Sequence, residues 1–251
     1  MAQAVRERHL FRLAYGVLAL AFWVSVAGFT YLMTRPNHSE PVPWSTWKPA
    51  SADLTGAREI AQRVAGKYKL DSGGQLVAIQ EHPPVVQGLD LEAVGIRRTG
   101  GNGKLDPYIA LYGGRRTLIY AFCGLGQNCA IPGATADGVD HLLRREALEV
   151  ALYSFKYLDR VDQVVSLLPP TAGATDQRSN AVFLRKDEFA EALKRPLHDL
   201  LPQTRPPVPS QVGTQEKNLI DALTGQHTYP AQFEPLPDGD AILVLQRAQG
   251  T

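Results

Sequence analysis

Three arginine doublets, Arg97-Arg98, Arg115-Arg116 and Arg144-Arg145, are the residues whose type and spacing best suit binding chemistry. A guanidinium presents a planar fork of N–H donors that matches the oxygens of a carboxylate or phosphate. One member of each doublet on a common side would form an anion-binding patch. Successive residues of a strand point to opposite faces, so only half of a strand doublet can contribute. The candidate ligand-binding residues are therefore Arg97, Arg115, Arg116 and Arg144. The competing reading is a set of solvated arginines in local salt bridges.

The two cysteines, Cys123 and Cys129, stand close together in CGLGQNC. Outside the cytoplasm such a pair predicts a disulfide, with Gly124, Gly126 and Asn128 supplying the turn that brings the Cα atoms into range. The spacing is not the CxxC of a redox centre, and no His pair accompanies it to complete a zinc site. Other matches fail on context. Gly124-Leu125-Gly126 follows a predicted strand, but Cys129 stands where a dinucleotide loop needs its third glycine. Ser45-Thr46-Trp47-Lys48 has the SxxK spacing of penicillin-recognising enzymes, yet it lies in a proline-rich stretch with no KTG downstream. His82 precedes Pro83-Pro84 in a loop, and the adjacent Asp140 and His141 do not face each other on a helix. The sequence predicts no catalytic residue, no metal and no cofactor.

The elements that carry these residues follow an apolar run. Residues 13–33 (LAYGVLALAFWVSVAGFTYLM) contain no charge and are long enough to span a hydrocarbon core of roughly 30 Å as a helix. Arg6, Arg8 and Arg12 precede the run, and Arg35 alone follows closely. The positive-inside rule puts residues 1–12 in the cytoplasm and the remainder outside. Ser25-Val26-Ala27 resembles a signal-peptide cleavage site, but the apolar run continues well past it, which favours an uncleaved anchor. Residues 34–50 contain four prolines and read as a stiff stalk. Trp44 and Trp47 either rest on lipid headgroups or pack on the domain, with packing the expectation.

An extracytoplasmic domain is expected over 51–201. Ile60, Ala61 and Val64 give helical spacing over 55–68. Extended segments are predicted at 75–80, 92–98, 108–112, 117–123, 161–168, 181–185 and 241–246. Gly113-Gly114 predicts a hairpin over 108–123. Residues 139–158 form the strongest helix, capped by Asp137 or Asp140, with an apolar face and with Arg144, Arg145, Glu146 and Glu149 mostly elsewhere. Strand 117–123, this helix and strand 161–168 suit a βαβ crossover. A helix bent at Pro196 is predicted over 187–200, and a shorter one near 216–223. The proline-rich 202–210 connects to a C-terminal helix and strand over 211–251, expected to dock on the domain. The fold class is α+β, one domain with a mixed β-sheet and a long packed helix.

Of 251 residues, 44% are hydrophobic and 20% charged, which excludes a largely disordered chain. A net charge of +1 lacks the basic excess of a nucleic-acid binder. The expected function is a single-pass anchored binding or assembly module of a bacterial cell-envelope complex, touching the bilayer through 13–33 and a protein partner outside. The alternatives are an anionic-ligand-binding or sensory domain using the Arg doublets, and an envelope hydrolase with an unrecognised site. The small-molecule ligand stays unassigned.

Overall fold

A computed structural model describes residues 18, 20–31, 43–86, 88–99, 105–131, 137–170 and 179–246. The chain divides into two compact units, Met1–Pro43 and Trp44–Thr251. In the first, residues 20–31 are helical, and the hydroxyls of Ser25 and Thr30 donate to the carbonyls of Ala21 and Val26 one turn back. Among the described residues no helix is long and apolar enough to cross a membrane. The rest of the 13–33 run apart from Leu18, and residues 34–42 of the expected stalk, lie outside the described residues.

The second unit begins at Trp44 rather than Ser51. Trp44 is buried edge-on against Tyr153 and Tyr157, with ring centroids at 5.3 and 5.5 Å, and Trp47 meets Tyr153 at 5.6 Å. The Leu197 N–H donates to the Trp44 carbonyl at 2.7 Å. Both tryptophans therefore belong to the domain.

Helix α1 (Leu54–Ala65) starts at Asp53, whose carboxylate accepts from the Thr55 and Gly56 N–H groups at 2.8 and 3.4 Å. Its buried face carries Ala57, Ile60, Ala61 and Val64. The strands are β1 (Ala78–His82), β2 (Val85–Val86), β3 (Leu89–Thr99), β4 (Leu105–Gly113), β5 (Thr117–Cys123), β6 (Gln163–Leu167), β7 (Ser179–Arg185), β8 (Thr228–Pro235) and β9 (Ala241–Gln246). Eight of them form a mixed sheet in the order β1-β5-β6-β7-β8-β9-β3-β4, and β2 pairs the first residues of β3. The β5–β6 and β9–β3 pairs are parallel and the others antiparallel. Helix α2 (Asp137–Tyr157) bridges the parallel pair β5–β6, the crossover expected from sequence. Helix α3 (Thr214–Thr224) packs on α2.

The sheet is buried on both faces because it curls on itself. Leu118, Tyr120, Phe122, Val164, Val182 and Leu184 share one core with α1 and α2. The alternate residues Ile119, Val165, Ala181 and Phe183 form a second core with Leu91 and Val94 of β3 and Leu243 and Leu245 of β9. Opposite faces of β5, β6 and β7 thus both need apolar side chains, hence their near-continuous hydrophobic sequences.

Three sequence expectations are corrected. The hairpin over 108–123 does not form: β4 pairs with β3, while β5 pairs with β1 and β6. The chain instead leaves β4 through a 3-10 turn, Gly114–Arg116. A Cβ on Gly114 would lie 1.8 Å from the Leu91 carbonyl oxygen, so the glycine serves close backbone approach rather than a two-residue turn. Gly114→Ala should lower the unfolding free energy by about 1–3 kcal/mol through overpacking. Urea denaturation measures this, and an unchanged midpoint would refute the contact.

The helix expected over 187–200 is instead two 3-10 turns, Lys186–Phe189 and Ala192–Lys194, followed after Pro196 by one helical turn, Leu197–Leu200. Burial of Phe189 and Leu193 replaces helical continuity as the anchor of this segment. The third correction concerns α2: Arg144, Arg145, Glu146 and Glu149 do not lie on a solvated face but are all buried. Pressed between α1, α3 and the sheet, the helix has no free side over residues 141–155.

Candidate functional site

Helix α2 carries a buried polar cluster. Arg145, with 1% of its surface exposed, sends Nε to Glu216 at 2.5 Å, Nη1 to the Tyr68 hydroxyl at 2.7 Å and Nη2 to the Gln203 carbonyl at 2.6 Å. Tyr68 in turn donates to Glu149 at 2.8 Å, and the Lys67 ammonium pairs with the other Glu149 oxygen. Burial alone would pull the Arg145 guanidinium down, but Tyr68, Glu149 and Glu216 hold it above its ordinary value. The network clamps the end of α1, the middle of α2, the start of α3 and the proline-rich 202–210. Its donors and acceptors answer one another, so it is built to hold these elements together.

Glu146 is different. It is fully buried, and neither carboxylate oxygen has a hydrogen-bond partner among the described residues. Burial, reinforced by Glu149 one turn away, raises its carboxyl well above the ordinary value and so favours the neutral acid over the carboxylate in the core.

The fold disperses the Arg doublets. Arg144 is consumed inside the domain, donating to Asp140 at 2.8 Å, Asp221 at 2.7 Å and Thr224 at 3.2 Å. His141 lies 3.3 Å from Asp221. Asp221 resists its own partial burial and stays below the usual carboxylate range because Arg144 and His141 bond to it. Arg115 and Arg116 are exposed on the turn before β5, and Arg116 pairs with Asp162 at 2.8 Å. That pair is more than a third exposed on each side and is worth little. Arg97 sits on β3 opposite Ile109 and Gln246. Gly114 touches the start of β3 at Leu91, so Arg97 lies about 20 Å further along the strand from Arg115. The C-terminal end of α2 leads into β6, whose Gln163 pairs with Thr117, which puts Arg144 about 20 Å up the helix from Arg116. The four arginines therefore make no common patch.

The sulfurs of Cys123 and Cys129 lie at bonding distance, with Cα atoms 4.5 Å apart. The loop they close leaves β5, with Asn128 and Cys129 both in the left-handed region at φ 52° and 60°. Gly124 and Gly126 donate to the Cys129 and Ala130 carbonyls at 2.8 and 2.9 Å.

A cleft of about 590 Å³ opens between the ends of β4 and β7 and the start of β6. It is lined by Tyr112, Gln163, Arg185, Lys186, Leu193 and the carboxylates Asp162 and Asp187. The Arg185 guanidinium lies 5.1 Å from the Tyr112 ring centroid and binds Glu188 at 2.9 Å and Asp187 at 3.3 Å. Phe183 backs the tyrosine at 5.4 Å. Sequence reasoning missed this site. The Arg185-Lys186 pair ending a hydrophobic strand was its visible signal, but Tyr112 and Gln163 join it only through the curl of the sheet. Neither His82 nor His141 lines the cleft.

These features define an α+β domain with a curled mixed sheet, a buried ionic clamp and an open cleft. Compared with known protein families, curated proteins and solved structures, the chain matches none of them.

Proposed function

We propose that this chain is a single-pass membrane-anchored protein whose extracytoplasmic domain is a binding or assembly module of a bacterial cell-envelope complex. The uncharged 13–33 run and the arginines before it support the anchor and its orientation. The paired cysteines suit an oxidising compartment. The observation that carries the binding role is the outer edge of β4. This strand pairs only with β3 among the described residues and presents Leu111, 63% exposed. Such an edge offers backbone groups and an apolar side chain to a second protein.

Crosslinking intact cells that express the tagged full-length chain, followed by mass spectrometry of co-purified proteins, tests the reading. The expected result is a recurrent partner that disappears when residues 44–251 are deleted. Absence of any such partner, with the protein folded and exported, refutes it. A second reading, an anionic-ligand-binding or sensory domain, draws support from the cleft, where Lys186 makes no ion pair among the described residues.

A further inference from the structure

We infer that the cleft between β4, β6 and β7 binds a small anion, a carboxylate or phosphate carrying a short apolar group, with Lys186 and Gln163 as its polar anchors. This deepens the anionic-ligand reading and replaces the dispersed Arg doublets with a defined site. Most polar groups of the cleft are already engaged. Both carboxylates are: Asp162 with Arg116 at 2.8 Å, and Asp187 with Arg185 at 3.3 Å. The Arg185 guanidinium is held further by Glu188 through Nε at 3.1 Å and Nη2 at 2.9 Å.

What is left over is a donor set. The Lys186 side chain has no partner among the described residues, while its backbone N–H donates to the Asp162 carbonyl at 2.8 Å and fixes its position at the rim. Gln163 accepts from the Thr117 hydroxyl at 2.9 Å through Oε1, which leaves its amide nitrogen as the uncommitted end. An ammonium and an amide N–H₂, each on a residue of intermediate burial, call for an acceptor-rich ligand of negative charge. Tyr112 and Leu193 add an apolar wall, and a volume of about 590 Å³ matches a small molecule.

The test is calorimetric titration of the full-length protein in detergent with phenyl phosphate, inorganic phosphate and phenol. Phenyl phosphate is expected to saturate one site and bind more tightly than inorganic phosphate, with no saturable binding of phenol. Lys186→Met and Gln163→Leu, each checked for folding by circular dichroism, should weaken phenyl phosphate by about tenfold or more, the scale of a lost charge-assisted hydrogen bond. An affinity unchanged in both variants overturns the cleft assignment. If that affinity instead falls in Arg97→Ala or Arg115→Ala, the anionic-ligand reading stands at another site. Failure of both phosphates to saturate the wild-type protein overturns the cleft and that reading together.

Discussion

Replacing Arg145 by methionine is expected to remove about 3–5 kcal/mol of folding free energy. The side chain is 1% exposed, neutralises Glu216 and Glu149, and donates to the Tyr68 hydroxyl, all from one position. Without it Glu216 and Glu149 stay buried with less positive charge beside them, and the Gln203 carbonyl loses its donor. A buried charge left without its partner costs more than the pair contributes when intact, so the loss exceeds what an exposed bridge such as Arg116–Asp162 could produce. Against a typical total of about 5–15 kcal/mol, the variant would stand near the limit of folding. Urea denaturation followed by circular dichroism measures the effect. Arg145→Met combined with Glu216→Leu should cost less than the sum of the two single changes, because the second removes one of the stranded charges. Strict additivity would show that the two residues do not interact.

The second large effect concerns pH. Glu146 holds its proton more tightly in the folded chain than in the unfolded one, first because it is fully buried and second because Glu149 is near. The folded state therefore binds more protons than the unfolded state above the ordinary carboxyl value of 4.5. Below that value both states are protonated and this contribution to stability is fully present. As pH rises above it the unfolded carboxyl ionises first, and stability falls by up to about 1.4 kcal/mol per pH unit until the folded group titrates too. Glu146→Gln keeps the shape and removes the titration. The variant should match the wild type near pH 4 and exceed it at higher pH, by a margin that grows until the folded carboxyl ionises. Parallel pH profiles for the two proteins would show that the buried carboxyl does not stay protonated. Asp221 works in the opposite sense: its lowered carboxyl stabilises the fold above the ordinary value of 3.8 and loses that contribution as pH falls through the folded value.

Legibility from sequence differed by the kind of information an element needs. Strand β5 and strand β9 stand where hydrophobic runs bounded by turn residues put them. Strand β8 was missed because Pro230 and Pro235 argue against a strand, and the structure shows how they are tolerated. Pro230 stands opposite Asn180 in the β7–β8 ladder, but the β8–β9 ladder starts only at Ala231 and ends at Pro235 opposite Ala241, so each proline lies at an end of the pairing with β9. Arg145 and Glu149 were readable as a helical i,i+4 pair, but their burial was not, since it depends on Tyr68 and Glu216 arriving from distant sequence. The cleft was illegible for the same reason, its walls being drawn from residues 112, 163, 185, 186 and 193.

By itself the sequence determined the α+β class, the long helix between two parallel strands, the cysteine pair and the uncharged 13–33 run. Each depends on periodicity, short spacing or local composition, which are properties of neighbouring residues. Only the tertiary structure decided that β4 turns to β3 rather than β5, that Arg144 and Arg145 face inward, and that Lys186 and Gln163 meet at one cleft. Those outcomes follow from the curl of the sheet and the packing of α2 on all sides, and burial of apolar surface fixes both across the whole chain at once.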